Sequence, residues 1–286
     1  MTAISFEFFP PKSIDAAFRL ADTVSTLAPY DPNFVSVTYG AGGTTRTLTH
    51  EAVEAISQNF GLNVAAHLTC VDASRQETLE IAETYAEAGV QEIVALRGDP
   101  PKGAANFEAR ADGFASSVEL IEALAATGKF TLRVGAYPEK HPEAAHARAD
   151  IDWLKRKLDA GASSAITQFF FEAETFLRFR DACVAAGITQ PIIPGILPIE
   201  NWTGTRKFAQ RCGTNVPADL DDAFQKAIRD DRHDLLATAH CTELCTGLIE
   251  EGVDHLHFYT LNKPSLTRDV LHALGHTPRV SLAQVA

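Results

Sequence analysis

The chain has 286 residues, 45% of them hydrophobic and 22% charged, with a formal net charge of -12. That is globular composition, long enough to bury a core without disulfide or metal staples. The acidic balance excludes a phosphate-backbone binder, and no apolar run approaches the ~18 residues of a membrane span.

Taken in chain order, short β-rich runs alternate with helical patterns. A strand at Ile4–Phe9 precedes a helix at Ser13–Leu27, with Ser13 as its N-cap. Phe34–Tyr39 leads to Thr45–Phe60. Val64–Cys70 leads, through Asp72, to Ala73–Ala88. Glu92–Gly98 leads to Ser116–Thr127, and Thr131–Tyr137 to Ala149–Ala160. Ala165–Phe171 is followed by Glu172–Ala186. Pro191–Leu197 is followed by Asn201–Arg211 and a long helical pattern, Leu220–Glu251. His255–Leu261 and Ser265–Leu274 close the series. Gly89, Gly161, Gly187, Gly252 and Gly275 each stand just past a helical pattern, where a left-handed C-cap favours glycine. Eight such βα units predict an α/β fold, a (β/α)8 TIM barrel, over a single domain, 1–286. A doubly wound open sheet is the alternative. The helical material at 214–251 reads as extra helices inserted before the last strand.

The strand phases are unusual for a structural barrel, whose interior is filled by branched apolar side chains. Ser5 and Glu7 share one face of the first strand, Ser36 and Thr38 one face of the second. Ala65, His67 and Thr69 share a face of the third, and His255, His257 and Tyr259 a face of the last. The interior therefore helps to build a site.

Barrel sites lie at the C-terminal strand ends. Those ends carry Glu7, then Thr38 and Tyr39 before Gly40, Gly42 and Gly43. Next come His67 and Thr69, Arg97, Gly98 and Asp99, Tyr137, His141 and Glu143, Thr167 and Gln168, and Tyr259 with Asn262. Two carboxylates, Glu7 and Asp99, converge on one mouth, as an acid–base pair does. Glu7 is flanked by aromatics, and desolvation would raise its pKa. The alternative is a structural carboxylate paired with Arg97 or Lys12. The helix around Lys155, Arg156 and Lys157 is the densest basic spot near the mouth. It is either a solvated face or a place for phosphates.

The cysteines, Cys70, Cys183, Cys212, Cys241 and Cys245, are odd in number and include no CxxC. With no basic-then-apolar leader, they predict a reduced, cytoplasmic protein. Cys241 and Cys245, one helical turn apart, read as small buried residues. No His, Cys and carboxylate spacing suits zinc, so no metal is expected. No P-loop, nucleophile elbow or strand-linked G-x-G-x-x-G occurs.

The segments "FEFFPPK", "FVSVTYGAGG", "AHLTC", "ALRGDPP", "AYPEKHPEA", "DWLKRKLDAGA", "AITQFFF", "IIPGILPI" and "HFYTLN" follow one another in register. In this they resemble the methylenetetrahydrofolate reductase family over residues 4–275. The resemblance implies a noncovalent FAD and, in bacterial members, NADH as hydride donor. It implies ping-pong reduction of 5,10-methylenetetrahydrofolate to 5-methyltetrahydrofolate, which supplies methyl groups for methionine synthesis. It makes Glu7 the general acid that opens the folate ring to an iminium, and Asp99 the carboxylate that binds folate and steadies the positive charge. Gln168, Phe208 and Lys263 join Glu7 and Asp99 as substrate contacts. Lysine is a point charge where an arginine is common. Thr38, His67, Leu96, Arg97, Gly98, Asp99, Ala115, Tyr137, His141, Asp150, Lys157 and Tyr259 form the implied FAD shell. The implied partners are the folate, NADH and further copies of the chain in a homo-oligomer. Two alternatives keep the fold: a flavin-independent folate reductase, or another one-carbon barrel enzyme.

Overall fold

The computed structural model describes residues 1–39, 46–99 and 107–279. Gly40, Gly42 and Gly43, and residues 100–106 of the loop after the fourth strand, lie outside them.

The chain forms the predicted α/β barrel. In order, β1 (Ala3–Phe8) and α1 (Ile14–Leu27) precede β2 (Phe34–Val37) and α2 (Arg46–Phe60). Then come β3 (Val64–Thr69), α3 (Arg75–Glu87), β4 (Glu92–Leu96), α4 (Ser117–Thr127), β5 (Thr131–Ala136) and α5 (Ala147–Asp159). β6 (Ser164–Thr167) and α6 (Ala173–Ala185) lead to β7 (Ile192–Ile193) and β8 (Gly195–Ile196). Helices α7 (Trp202–Cys212), α8 (Ala218–Arg229) and α9 (His233–Glu250) precede β9 (His255–Tyr259) and α10 (Pro264–Ala273). Serine side chains cap three of these helices, Ser13, Ser74 and Ser116. The cap before α3 is Ser74, one residue inside the expected helix start at Ala73. Its hydroxyl accepts from Glu77 N while the Glu77 carboxylate accepts from Ser74 N, a reciprocal capping box.

All strand pairs are parallel, in the order β7-β6-β5-β4-β3-β2-β1-β9-β8. The predicted seventh strand is two short pieces. β7 bonds to β6 and β8 bonds to β9, with Pro194 between them. Proline has no N–H to give a ladder, but its carbonyl accepts from His257 N at 3.0 Å. The barrel is thus closed by the chain crossing from one neighbour to the other. Gly195 makes this crossing fit: a Cβ there would stand 2.1 Å from Thr167 O and 2.5 Å from Tyr259 Cε2.

The helical pattern expected over Leu220–Glu251 is also two elements, α8 and α9. They break at Asp230–Arg232, where Asp231 takes a φ of 53°. Helix α9 packs on α6 and α10 and completes the outer ring. The extra helices are therefore α7 and α8. A small apolar cluster holds them, with Trp202 stacked on Phe224 at 4.5 Å. The main core lies between the strands and the ring helices, around Phe6, Phe8, Val35, Leu68 and Ile93. Cys241 and Cys245 are buried there as predicted.

Candidate functional site

Two neighbouring features form the candidate site at the C-terminal ends of the strands. The first lies inside the barrel around Glu7. The Glu7 backbone carbonyl accepts from Thr260 Oγ1 at 2.7 Å. Two residues on, Phe9 exchanges hydrogen bonds with the Asn262 side chain, N to Oδ1 and O to Nδ2, both at 2.9 Å. Leu261 and Asn262 both adopt the left-handed region to allow this clasp, with φ of 51° and 53°. The end of β1 is thereby tied to the end of β9.

The Glu7 carboxylate meets two imidazoles. His67 Nε2 lies 3.3 Å from Oε2 and His257 Nε2 lies 3.9 Å from it. Ser36 Oγ stands 3.4 Å away. Both ring nitrogens are buried and have no formed hydrogen bond, so two bare Nε2 atoms face one carboxylate. Burial pushes the Glu7 carboxyl up, but the pull of His257 and His67 outweighs it and holds the group at about 2. This corrects two sequence expectations. Glu7 does not pair with Arg97 or Lys12, and aromatic burial does not leave it raised. The phenylalanines of β1 point the other way, into the core, because alternate strand residues face opposite sides. His257 is fully buried, and burial drives its pKa down while Glu7 opposes the shift. Tyr259 stands at its edge, 5.4 Å between centroids, and donates to Thr167 O at 2.6 Å.

The second feature is a cleft with about 510 Å³ of space beside this cluster, within the range of ligand sites. Leu96, Arg97, Gly98 and Asp99 form one wall, and Tyr137, His141, Asp150 and Lys157 the other. Gly98 has a φ of +89°, and a Cβ there would meet Val71 Cγ1 at 2.9 Å. Arg97 is clamped by both oxygens of Glu143, at 2.5 and 3.0 Å. His141 N donates to Asp150 Oδ2 at 3.0 Å. Of the basic run on α5, Lys155 pairs with Asp159 and Arg156 lies over Trp153, both on the outside. Lys157 is buried and donates to the Gly135 carbonyl. Burial pushes its pKa down to about 8, and Asp150 offsets this only in part. It is a buried cation without a bonded anion, at the edge of an open cleft, and such a group favours an anionic ligand.

The remaining expected residues lie around these two features. Thr38, His67 and Tyr259 stand at the ends of their strands, outside the cleft wall. Ala115 is exposed, its N–H given to the Glu119 carboxylate. Gln168 lies at a small recess with Tyr137 and Cys212. Phe208 stacks on Phe169 at 5.2 Å, and Lys263 faces Glu200 at 3.8 Å. Asp99 is exposed on the cleft rim. Sequence reasoning gave no role to Trp153, which lines the cleft from α5, nor to His257 as the partner of Glu7. The polar face of β9 was the available signal for the latter. Among the described residues no group of His, Cys, Asp and Glu could hold a metal ion.

The family model described as methylenetetrahydrofolate reductase matches residues 1–275. The chain belongs to that family. A 5,10-methylenetetrahydrofolate reductase of Pectobacterium carotovorum is 43% identical over 97% of this chain and 92% of its own length. The Escherichia coli protein of the same name is 43% identical over 96% and 91%. "Methylenetetrahydrofolate reductase (NADH) 1" of Arabidopsis thaliana is 36% identical over 96% of this chain, which spans 48% of that longer protein. A solved structure from Clostridium thermocellum, described as binding two copies of 5-methyl-5,6,7,8-tetrahydrofolic acid, superposes with a TM-score of 0.61. It is 16% identical over 95% of this chain and 93% of its own. At that identity the likeness shows the fold alone.

Proposed function

We propose that this chain, as one catalytic barrel domain, reduces 5,10-methylenetetrahydrofolate to 5-methyltetrahydrofolate with FAD and NADH. Family membership over residues 1–275 carries this reading. The cleft supports the cofactor: Lys157 supplies a buried cation for a phosphate, and Arg97, His141 and Asp150 supply polar groups at its walls. Trp153 offers a flat face to a ring. When bound, FAD would carry hydride between NADH and the folate in two successive half-reactions.

The residues of the chain do the rest. Glu7 handles the proton of ring opening, at the folate nitrogen that leaves as the iminium forms. With its carboxyl held at about 2, Glu7 waits as an acceptor in the free protein and must be loaded before it donates. Asp99, on the rim, faces the positive charge that the iminium develops. Gln168 and Phe208 flank the approach and would hold the substrate ring, and Lys263 would meet a folate carboxylate. His67 and Tyr259 border Glu7 and the cofactor. The reading is of a cytoplasmic enzyme, and no described helix is long and apolar enough to cross a membrane.

A visible spectrum of the purified protein, followed by anaerobic NADH and then methylenetetrahydrofolate, tests the proposal. A yellow protein that bleaches and then regains colour supports cofactor, donor and substrate together. A colourless protein that FAD does not reconstitute removes the flavin reading and leaves direct hydride transfer as the alternative.

A further inference from the structure

Below Glu7 a line of polar groups runs down the barrel interior, flanked by an apolar cluster of Phe34, Ala65, Val94, Ile166 and Ile193. His257 Nδ1 lies 2.8 Å from Ser5 Oγ. His255 Nε2 lies 2.9 Å from the same oxygen. Ser5 and His257 are fully buried. His255 is half-buried, at the N-terminal start of β9, beside the exposed Asp254. On the other side of His257, the bare Nε2 faces Glu7. Four polar groups thus form one line from the site to the foot of the barrel.

A hydroxyl passes a proton only by accepting on one side and donating on the other. An imidazole does so only while neutral, with one N–H and one lone pair. The surroundings keep both rings in that state. Burial drives His255 down to about 3 and His257 below its ordinary value, and Arg133 adds to both effects. The Arg133 guanidinium sits over the Phe34 ring at 3.9 Å, and that ring stacks on His257 at 5.5 Å. Arg133 is itself fixed by Glu92 on β4, at 2.6 Å, and by Ser164 on β6, at 2.9 Å. Ser36 on β2 and His67 on β3 complete the groups around Glu7.

We propose that Glu7 exchanges its proton with solvent at the N-terminal end of the barrel, through His257, Ser5 and His255, and not through the cleft. The steps balance. In one state His255 Nε2–H donates to Ser5, Ser5 O–H donates to His257 Nδ1, and His257 Nε2–H points at an ionised Glu7. A proton from water then binds His255 Nδ1, and His255 Nε2 passes its proton to Ser5 Oγ. Ser5 passes its own to His257 Nδ1, and His257 Nε2 passes its own to the carboxylate. Ser5 Oγ gains one proton and loses one, each imidazole gains one at Nδ1 and loses one at Nε2, and Glu7 ends protonated. The last gap, 3.9 Å, closes to hydrogen-bond length by a shift of about 1 Å. The arrangement loads the acid from behind, while ligands cover the mouth.

The inference rests on Glu7 as the proton donor of the proposed reaction, so its test has a second readout. In rapid mixing, His255→Ala and Ser5→Ala should leave NADH bleaching of the flavin intact. Each should slow recolouring by methylenetetrahydrofolate on the order of 10-fold. Free imidazole should restore His255→Ala, whose gap opens to solvent, and not Ser5→Ala. Full-speed recolouring in both variants would overturn the relay while leaving the reductase reading in place. The second readout needs no folate. Ring 15N shifts of His255 should change on Glu7→Gln in the native background and stay fixed in the Ser5→Ala background. Identical His255 shifts with and without Glu7 would overturn the relay even in a protein that failed to reduce the folate.

Discussion

Glu7 is held ionised by His257 and His67 against its own burial, and this shapes what its replacement does. Glu7→Gln keeps the shape and removes the proton. It should leave flavin bleaching by NADH near the native rate and slow the folate half-reaction by about 10²–10⁴-fold. Equal loss in both halves would count against the proton role. Lys157 makes a contrasting case. Lys157→Met removes a buried cation that has only a carbonyl for a partner. Titration with FAD should show affinity weakened about 10- to 100-fold, since a hydrogen bond to a charged group contributes ~1.5–3 kcal/mol. The thermal midpoint of the cofactor-free protein should hold or rise, because the desolvation cost goes too. Unchanged FAD affinity would remove Lys157 from the phosphate site. At this scale the sequence displayed the residues around Glu7 without their partners. Glu7 and His67 were visible at strand ends, and His257 on the polar face of the last strand. What held Glu7 down was not, because its two imidazoles come from β3 and β9, and only closure of the barrel brings them together. Local aromatic neighbours suggested a raised carboxyl and pointed the wrong way.

Among the elements, the broken seventh strand is the most exacting. Gly195→Ala puts a methyl group against the Thr167 carbonyl and the Tyr259 ring. Overpacking of that kind costs about 1–3 kcal/mol or more. Urea unfolding should show a loss at the upper end of that range, and a loss under 0.5 kcal/mol would mean that the crossing is loose. The strand and helix series was legible because hydrophobic period, caps and glycine stops agree along most of the chain. Two places resisted. "PIIPGILPI" reads as one strand by hydrophobicity, although Pro194 already marks a place where the ladder must stop. The Leu220–Glu251 pattern keeps helical composition through Asp230–Arg232, and nothing local announces that the axis turns there. In both cases the break is set by what the element packs against.

For the whole molecule, the groups around Glu7 respond to pH in one direction, while Glu139, Asp150 and Glu200, raised by burial, oppose them. His255 and His257 are neutral in the fold and would take up protons once unfolded, below about 6.5. Between that pH and about 3, His255 binds more protons in the unfolded state, so stability falls with acid. Glu7 has its pKa lowered from 4.5 to about 2. Its contribution is present above 4.5 and is lost as pH falls toward 2. Each group adds a slope of up to about 1.4 kcal/mol per pH unit within its window. Denaturation midpoints should therefore decline from near neutrality downward, and His255→Asn should flatten the decline between pH 6 and 4. An equally steep decline in that variant would show that His255 does not stay neutral in the fold.

The bond between Ser5 and His257 spans 252 positions of the chain. On a ribosome, Glu7 emerges long before its imidazole from β9. Until β9 emerges the carboxylate has no partner from that strand, and the seam between β1 and β9 stays open. Any fragment ending before β9 would carry the cleft walls without the closed interior. Assembly order thus keeps the proton-handling centre out of existence until β9 has been made.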